Sequence, residues 1–249
     1  MGAALIGGLV NAGWRADSIV VVEIDADKRA ALAGEFGVGV SPSLVVAEGA
    51  LIAVKPNDAT TVCSGLAALG TPRILSIAAG ISVATLQGAA GTSARVVRAM
   101  PNTPALVREG VTAICGSDSC DDADLAWAEE ILSAVGVVVR VPESQMDAVT
   151  AVAGSGPAYL FLVAESMLAA ARAEGLPDDV ADTLVRQLFR GAGILLAQSP
   201  ESAATLRERV TSPNGTTAAG LAVFEERGLR EIVHDVVRAA AARSAEMGR

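Results

Sequence analysis

The chain contains few histidine, cysteine and aromatic residues, and each shortage excludes some classes of function. Among 249 residues there are one histidine, three cysteines and 3% aromatics. Cys63, Cys115 and Cys120 are odd in number and lack the paired spacing of a metal site, so we expect reduced thiols rather than a disulfide framework. The shortage of aromatics argues against stacking on nucleic-acid bases.

Basic runs and long uninterrupted apolar runs are also missing. The net charge of −9, without a basic cluster, argues against a nucleic-acid partner. We expect no membrane span, because the apolar stretches are broken by charges, glycine or proline. The apolar start, residues 1–10, lacks the positive region and cleavage site of a secretion signal, so we expect a cytoplasmic protein.

What the chain does have is apolar residues, at 51%, in a pattern that changes along its length. In the first part, short β-branched runs alternate with helical stretches. This alternation predicts an α/β domain with a mostly parallel sheet that is covered on both faces. The predicted strands lie at residues 19–22, 38–40, 51–54, 74–77, 95–98, 111–115 and 137–141, with a helix at 27–36.

From about Asp147 onward, the strand patterns give way to helical ones, which predicts an all-α second domain. We therefore place the domains at 1–144 and 145–249. The helix around 158–171 is apolar nearly all round, which predicts that a second subunit covers it. The predicted helices span 159–172, 178–198, 201–210, 217–226 and 229–247.

The N-terminal residues resemble part of a dinucleotide-binding turn. Gly2, followed by an Ala/Leu-rich helical stretch, looks like the last glycine of a Gly-x-Gly-x-x-Gly turn. Glu23 follows 21 residues later at the end of a β-branched run, where an acidic residue would meet the adenosine ribose. The strand and the two glycines that precede such a turn are absent. We therefore expect a Rossmann-like domain that lacks its first strand, in a chain that is short at its N-terminus.

The segment from Thr211 to Thr217, Thr-Ser-Pro-Asn-Gly-Thr-Thr, carries the clearest local signal. Asn and Gly tolerate positive φ, and Thr can cap the start of a helix. A turn of this kind leaves backbone N–H groups free at a helix N-terminus, where they can bind a carboxylate or phosphate. An ordinary helix cap is the alternative interpretation of this segment.

Several segments, taken together, resemble the pyrroline-5-carboxylate reductase family in order and spacing. The N-terminal half contributes Met1-Gly2 with Leu5 to Leu9, Ala53 to Pro56, Ser76 to Ile81, Val97 to Pro104 and Gly110 to Thr112. The helical half contributes Asp147 to Tyr159 and the Thr211 to Thr217 segment. The resemblance implies a Rossmann-like domain followed by a helical dimerisation domain, in a homodimer that often assembles into a decamer. It also implies reduction of a cyclic imine, 1-pyrroline-5-carboxylate, to L-proline with NADPH or NADH.

The resemblance further implies residue roles. The turn at Gly215, Thr216 and Thr217 holds the substrate carboxylate, Thr217 hydrogen-bonds the ring nitrogen, and Ser212 shapes the turn. Glu143 matches a position that contacts proline in some members, although a surface carboxylate is an equal alternative. Cofactor contacts are implied for Gly2, Glu23, Ala53, Val54, Lys55, Pro56, Ala78, Ala79 and Gly80.

The expected chemistry fits a chain with few ionisable candidates. A protonated C=N carbon is already electrophilic, so orientation and hydrogen bonding can carry most of the catalysis. His234, the single histidine, is read as structural or solvent-facing. The carboxylates Glu23 and Asp25 would repel a ribose 2′-phosphate, so we predict a preference for NADH over NADPH.

Two other functions compete with this one. A 3-hydroxyacid dehydrogenase would need a lysine in the helical domain, but Lys28 and Lys55 are the only lysines in the chain. The second alternative is a truncated, non-catalytic dinucleotide-binding or scaffold protein of the same fold. The missing first strand favours that alternative, and the intact Thr211 to Thr217 segment opposes it.

Overall fold

A computed structural model describes residues 1–92 and 94–248, and these form two compact units. The first unit comprises Met1–Ser155 together with the described chain from Ala240 onward, and the second comprises Gly156–Ala239. We describe each unit by itself. The predicted boundary between residues 144 and 145 stays a prediction about domains.

Within the described residues, the first unit contains seven strands, most of which are separated by helices. Its strands are β1 Val20–Val22, β2 Gly39–Ser41, β3 Ala50–Ile52, β4 Arg73–Ser76, β5 Arg95–Met100, β6 Gly110–Gly116 and β7 Gly136–Arg140. Its helices are α1 Gly2–Asn11, α2 Ala26–Phe36, α3 Pro56–Ala68, α4 Val83–Ala90, α5 Asp122–Ser133 and α6 Met146–Val149, which runs into a π-turn at Thr150–Gly154. Short 3₁₀ turns lie at Ala16–Ser18, Thr103–Val107 and Glu143–Gln145.

The strands form a five-stranded sheet in the order β3-β4-β5-β6-β7 and a separate parallel pair, β1-β2. Parallel pairing joins β3 to β4, β4 to β5 and β6 to β7. The β5–β6 pair is antiparallel, because the chain between Met100 and Gly110 is too short for a parallel crossover. The α/β class and the mostly parallel sheet are therefore confirmed.

Apolar residues cover both faces of the sheet. On one face, α1 and α5 pack over Leu75, Val97 and Ile114. A Cβ added to Gly8 would lie 2.5 Å from Cγ1 of Val135, so α1 can approach this closely only because glycine stands there. On the other face, α3 and α4 cover the buried residues Ile52, Ile74 and Val96.

The amino ends of β4 and β5 are tied to α5 by a buried carboxylate. Asp124 is 2% exposed, and its two oxygens lie 3.0 Å from Nε of Arg73 and 3.0 Å from Nε of Arg95. Asp121 and Asp124 also form a reciprocal capping box that starts α5. One carboxylate thus fixes a helix start and two neighbouring strands.

The second unit is helical, as predicted. It contains α7 Gly156–Ala173, α8 Asp178–Gln198, α9 Ala203–Arg209 and α10 Thr216–Glu226. Helix α11 spans Leu229–Met247, and its part up to Ala239 belongs to this unit. Only Ala181 and Val185 are buried in this part of the described chain. Large apolar side chains are exposed instead, among them Phe161 at 69% and Leu162 at 62%. A surface of this kind marks an interaction site.

Candidate active site

The carboxyl ends of β3, β4 and β5 lie at one edge of the sheet, because these three strands are parallel. The loops that leave this edge begin at Ala53, Ile77 and Pro101. Open α/β sheets bind ligands outside the carboxyl ends of their strands. The predicted cofactor segments 53–56 and 78–80 both belong to these loops.

The N-terminus of α1 lies at the same edge. A Cβ added to Gly2 would lie 3.7 Å from Cβ of Ala53, so the structure brings these two predicted cofactor residues together. No side chain of the described residues caps the first turn of α1. Its free N–H groups and the helix dipole suit a pyrophosphate, so this edge fits a dinucleotide.

Ala53, Val54, Lys55 and Pro56 form an exposed turn between β3 and α3. Lys55 is the N-cap residue of α3, and Pro56 occupies the first helical position. Proline is favoured there because its missing N–H has no partner to lose and its fixed φ suits a helix. The turn therefore ends at a residue of fixed φ and leaves the lysine exposed to solvent.

Ala78, Ala79 and Gly80 leave the end of β4. Ala78 is 3% exposed, and its N–H donates to Oγ of Ser76 over 3.3 Å. Gly80 adopts a φ of +76°, a conformation that residues with a Cβ rarely take. The glycine at this position is therefore needed for the path of the loop.

Glu23 and Asp25 lie where β1 meets α2. The N–H of Asp25 donates to Oε1 of Glu23 over 3.0 Å, and Asp25 caps α2 by accepting from the N–H groups of Asp27 and Lys28. The hydrogen bond from the N–H of Lys28, and then that from Asp27 and the charges of Lys28 and Arg29, lower the pKa of Asp25. The carbonyls of Glu23 and Ile24 accept hydrogen bonds from Nη1 of Arg29, over 2.7 and 2.8 Å.

Glu143 is held by two partners within the first unit. Its Oε1 accepts from the N–H of Val83 over 2.7 Å and from Nη1 of Arg98 over 2.9 Å. The side chain of Arg98 is 10% exposed and that of Glu143 37% exposed. Glu143 is therefore engaged in the fold, and its predicted contact with substrate stays a prediction.

The sequence patterns did not single out three polar side chains beside this edge: Arg98, Asp147 and Ser244. Arg98 looked like part of a strand, and Ser244 like part of a helix. The hydroxyl of Ser244 donates to Oδ1 of Asp147 over 2.7 Å. Arg98 lies 45 positions from its partner Glu143, and Ser244 lies 97 positions from Asp147. No local sequence pattern could therefore have indicated these two pairings.

In the second unit, Ser212 to Gly215 form a tight turn that leads into α10. The N–H of Gly215 donates to the carbonyl of Ser212 over 3.0 Å, and Asn214 has a φ of +59°. The expectation of a left-handed residue is thus confirmed at Asn214. Gly215, by contrast, has a φ of −82° and is itself the N-cap of α10. Thr216 is the first residue of the helix, so threonine is not the cap.

The start of α10 has the features of a carboxylate site. No side chain of the described residues caps it, so the N–H groups of its first turn are left to an external partner. Ser212, Thr216 and Thr217 are exposed beside these groups. The turn can therefore offer backbone N–H donors together with the hydroxyl of Thr217.

The structure thus gathers the predicted cofactor residues Gly2, Ala53 to Pro56 and Ala78 to Gly80 at one edge of the first unit. It gathers Ser212, Gly215, Thr216 and Thr217 at one helix start of the second unit. A sheet edge suited to a dinucleotide, followed by a helical unit rich in exposed apolar surface, is the arrangement expected of a dinucleotide-dependent oxidoreductase that self-associates.

Comparisons with known proteins identify the family. Residues 143–247 match the family model for pyrroline-5-carboxylate reductase dimerisation, and residues 1–80 match that for the coenzyme F420-dependent NADP oxidoreductases. The chain is 41% identical to pyrroline-5-carboxylate reductase of Pseudomonas aeruginosa, over 99% of this chain and 93% of that protein. It is 42% identical to the Synechocystis reductase, over 94% and 89%.

Solved structures agree. The reductase of Coxiella burnetii is similar with a TM-score of 0.95 and 32% identity, over 100% of this chain and 95% of that one. The Plasmodium falciparum pyrroline carboxylate reductase, solved with NADP bound, has a TM-score of 0.84 and 27% identity, over 100% and 95%. The chain belongs to the pyrroline-5-carboxylate reductase family. It is an NAD(P)H-dependent oxidoreductase, and the non-catalytic alternative is not favoured.

One helical stretch, Glu143–Ala173, is long and apolar enough to cross a membrane by length and composition. Its most apolar window has a mean hydropathy of 1.3 and is 11% buried. The stretch lies inside the region that matches the dimerisation model. Its exposed apolar surface is therefore accounted for by self-association.

Proposed function

We propose that this chain reduces 1-pyrroline-5-carboxylate to L-proline, the last step of proline biosynthesis. The observation that carries the proposal is the similarity to reductases of this name at about 41% identity over nearly the whole chain. When bound, the reduced nicotinamide dinucleotide supplies the hydride. All other contributions below come from residues of this chain.

Substrate orientation falls to the start of α10. The N–H groups of Thr216 and Thr217 bind the imine's carboxylate, where the positive end of the helix dipole favours an anion. The hydroxyl of Thr217 hydrogen-bonds the ring nitrogen. Ser212 fixes the turn, because its carbonyl accepts from the N–H of Gly215. These contacts hold the electrophilic carbon in one orientation, which is the main requirement of the reaction.

Cofactor binding falls to the sheet edge. The uncapped start of α1 at Gly2 faces the pyrophosphate, and Glu23 accepts from the ribose hydroxyls. The backbones of Ala53 to Pro56 and Ala78 to Gly80 line the remaining length of the dinucleotide. Gly80 gives this loop its path, because a positive φ suits a residue without a Cβ.

The function is tested by the loss of reduced-nicotinamide absorbance when 1-pyrroline-5-carboxylate is added to the purified chain. Chiral chromatography of the product should show L-proline in an amount equal to the dinucleotide oxidised. Cofactor binding without turnover would contradict the reductase proposal and restore the scaffold alternative.

We propose further that NADH is preferred over NADPH. Glu23 and Asp25 place two carboxylates at the ribose end of β1, where they repel a 2′-phosphate. Nη1 of Arg29 is already bound to two backbone carbonyls. The measurement is the ratio of kcat/KM for the two cofactors with the imine saturating. A KM for NADPH well below that for NADH would contradict the preference.

The self-associating form is proposed to be a homodimer through the helical domain, residues 145–249, in a cytoplasmic enzyme. A decamer of five such dimers is the larger alternative. Light scattering on the purified protein at micromolar concentration distinguishes monomer, dimer and decamer by mass. A monomer under these conditions would contradict the proposal.

A further inference from the structure

The end of α11 and the glycine that follows it, residues 244–248, pack against the loop that follows β4. A Cβ added to Gly80 would lie 3.4 Å from the backbone oxygen of Met247, and one added to Gly248 would lie 3.4 Å from the oxygen of Gly80. Both sides of this contact belong to the first unit. The approach is backbone against backbone, at the residue of the loop that has a positive φ.

A charge-assisted hydrogen bond fixes α11 in this position. The hydroxyl of Ser244 donates to Oδ1 of Asp147 over 2.7 Å, and Asp147 belongs to α6. Hydrogen bonds to an ionised group are shorter and stronger than neutral ones. This bond joins two segments 97 positions apart, one turn before the contact with Gly80.

The far end of the same loop is held by Glu143. Its Oε1 accepts from the N–H of Val83, at the first turn of α4, and from Arg98. The loop from Ala78 to Ser82 is therefore fixed on both sides. A cavity of about 180 Å³ lies beside these supports, and its lining includes Gly80, Arg98, Glu143, Asp147 and Ser244.

We propose that Ser244 and Asp147 are positioning residues for the cofactor. They hold the last turns of α11 against Gly80 and thereby keep the Ala78 to Gly80 loop in one conformation. The inference rests on the proposed function, in which this loop lines the dinucleotide. Neither side chain is assigned a contact with the imine.

Without the hydrogen bond, the loop populates other conformations, and the cofactor must select the competent one. The apparent affinity for the cofactor then falls in proportion to the fraction of protein whose loop has the binding-competent conformation. The dissociation constant and KM for the dinucleotide therefore rise, whereas kcat at saturation stays the same, because the saturated enzyme has the same loop conformation.

The experiment titrates the purified chain with NADH and NADPH, without imine, and follows nicotinamide fluorescence. For Ser244→Ala we expect a dissociation constant about three- to tenfold higher, which corresponds to about 0.7–1.4 kcal/mol. Ser244→Thr keeps the hydroxyl and should restore most of the affinity. The double variant Asp147→Asn/Ser244→Ala should have a dissociation constant no higher than that of whichever single variant binds the dinucleotide more weakly. The matched control is Ser166→Ala, whose hydroxyl, among the described residues, donates to the carbonyl of Leu162 in its own helix.

A Ser244→Ala dissociation constant within twofold of that of the unaltered chain would overturn the inference. A fall in kcat at unchanged affinity would do the same, as would absence of dinucleotide binding by the unaltered chain. Dinucleotide binding without turnover of the imine would refute only the reductase proposal. The ratio of the dissociation constants of Ser244→Ala and the unaltered chain would still decide the role of Ser244. Circular dichroism melting of each variant separates loss of affinity from loss of fold.

Discussion

Thr217 is the residue on which the proposed chemistry depends most. Thr217→Val removes the hydroxyl and keeps the shape of the side chain and the N–H groups of α10. We expect kcat/KM to fall about 10²–10³-fold, the usual effect of losing a positioned hydrogen-bond donor at a reacting centre. Steady-state kinetics with the imine varied will measure this change.

The matched control for that substitution is Thr183→Val. Within the described part of the chain, the hydroxyl of Thr183 donates to the carbonyl of Asp179 in its own helix, over 2.8 Å. Its kcat/KM should stay within twofold of the unaltered value. Equal effects of the two substitutions would remove Thr217 from the proposed site.

Cys115 gives a prediction about pH. Its burial raises the pKa of the thiol to about 11, and the carboxylate of Glu143 adds to the shift. Because only the thiolate reacts, alkylation in the folded protein should be negligible at neutral pH and rise about tenfold per pH unit toward pH 11. Mass spectrometry after iodoacetamide treatment will follow it. Labelling of folded Cys115 at neutral pH as fast as in urea would contradict the burial of this thiol.

At the residue scale, local patterns predicted what depends on backbone preference. Asn214 takes the left-handed conformation, because an Asn side chain tolerates positive φ. The role of Gly215 as the N-cap was missed, since Thr and Gly both serve as caps. The partners of Glu143 were not predictable, because Arg98 and Val83 become neighbours only through the fold.

At the scale of elements, Asp124 joins the amino ends of two strands to α5. Asp124→Asn removes the charge between Arg73 and Arg95, and both arginines remain partly exposed to water. We expect the free energy of unfolding to fall by about 2 kcal/mol, the cost of breaking a buried charged pair reduced by hydration of the arginines. Urea denaturation, followed through a spectroscopic signal from the first unit, will measure this change in the free energy of unfolding.

The control for this substitution is Asp182→Asn. Asp182 pairs with Arg186 on the surface of α8, with side-chain exposures of 44% and 77%. Exposed pairs contribute about 0–1 kcal/mol, so this variant should unfold close to the unaltered protein. Equal midpoint shifts would show that the buried cluster gives no special stability.

The elements themselves were largely predictable. β-branched runs located each of the strands found in the described residues, and α8 and α11 match their predicted ranges, because length and periodicity mark such elements clearly. The antiparallel direction of β6 was not predicted, since the hydrophobic pattern of a strand is the same in both directions. Its cause is the short connection between Met100 and Gly110.

At the scale of the whole molecule, the helical unit has too little core for its apolar content. Phe161 on α7 is 69% exposed, and such a side chain suits the centre of a subunit interface. Phe161→Glu would place an unpaired charge there, so we expect dissociation to monomer at micromolar concentration. Light scattering gives the mass directly, with Glu174→Gln as a surface control. An unchanged oligomer would place the interface elsewhere.

Whole-molecule function was predictable from the sequence because the family segments Ala53 to Pro56 and Thr211 to Thr217 occur in order along nearly the whole chain. The support of the loop at Gly80 by α11 was not, since it joins residues that are far apart in the sequence. The proposed preference for NADH likewise rests on a few charges around Glu23 rather than on the fold.

The central claim is that this chain transfers hydride to the imine carbon of 1-pyrroline-5-carboxylate. The most direct test uses NADH deuterated on the transferring face of the nicotinamide and mass spectrometry of the proline formed. The account predicts L-proline carrying one deuterium at the former imine carbon, in step with NADH oxidation. Absence of proline, or proline without deuterium, would contradict it.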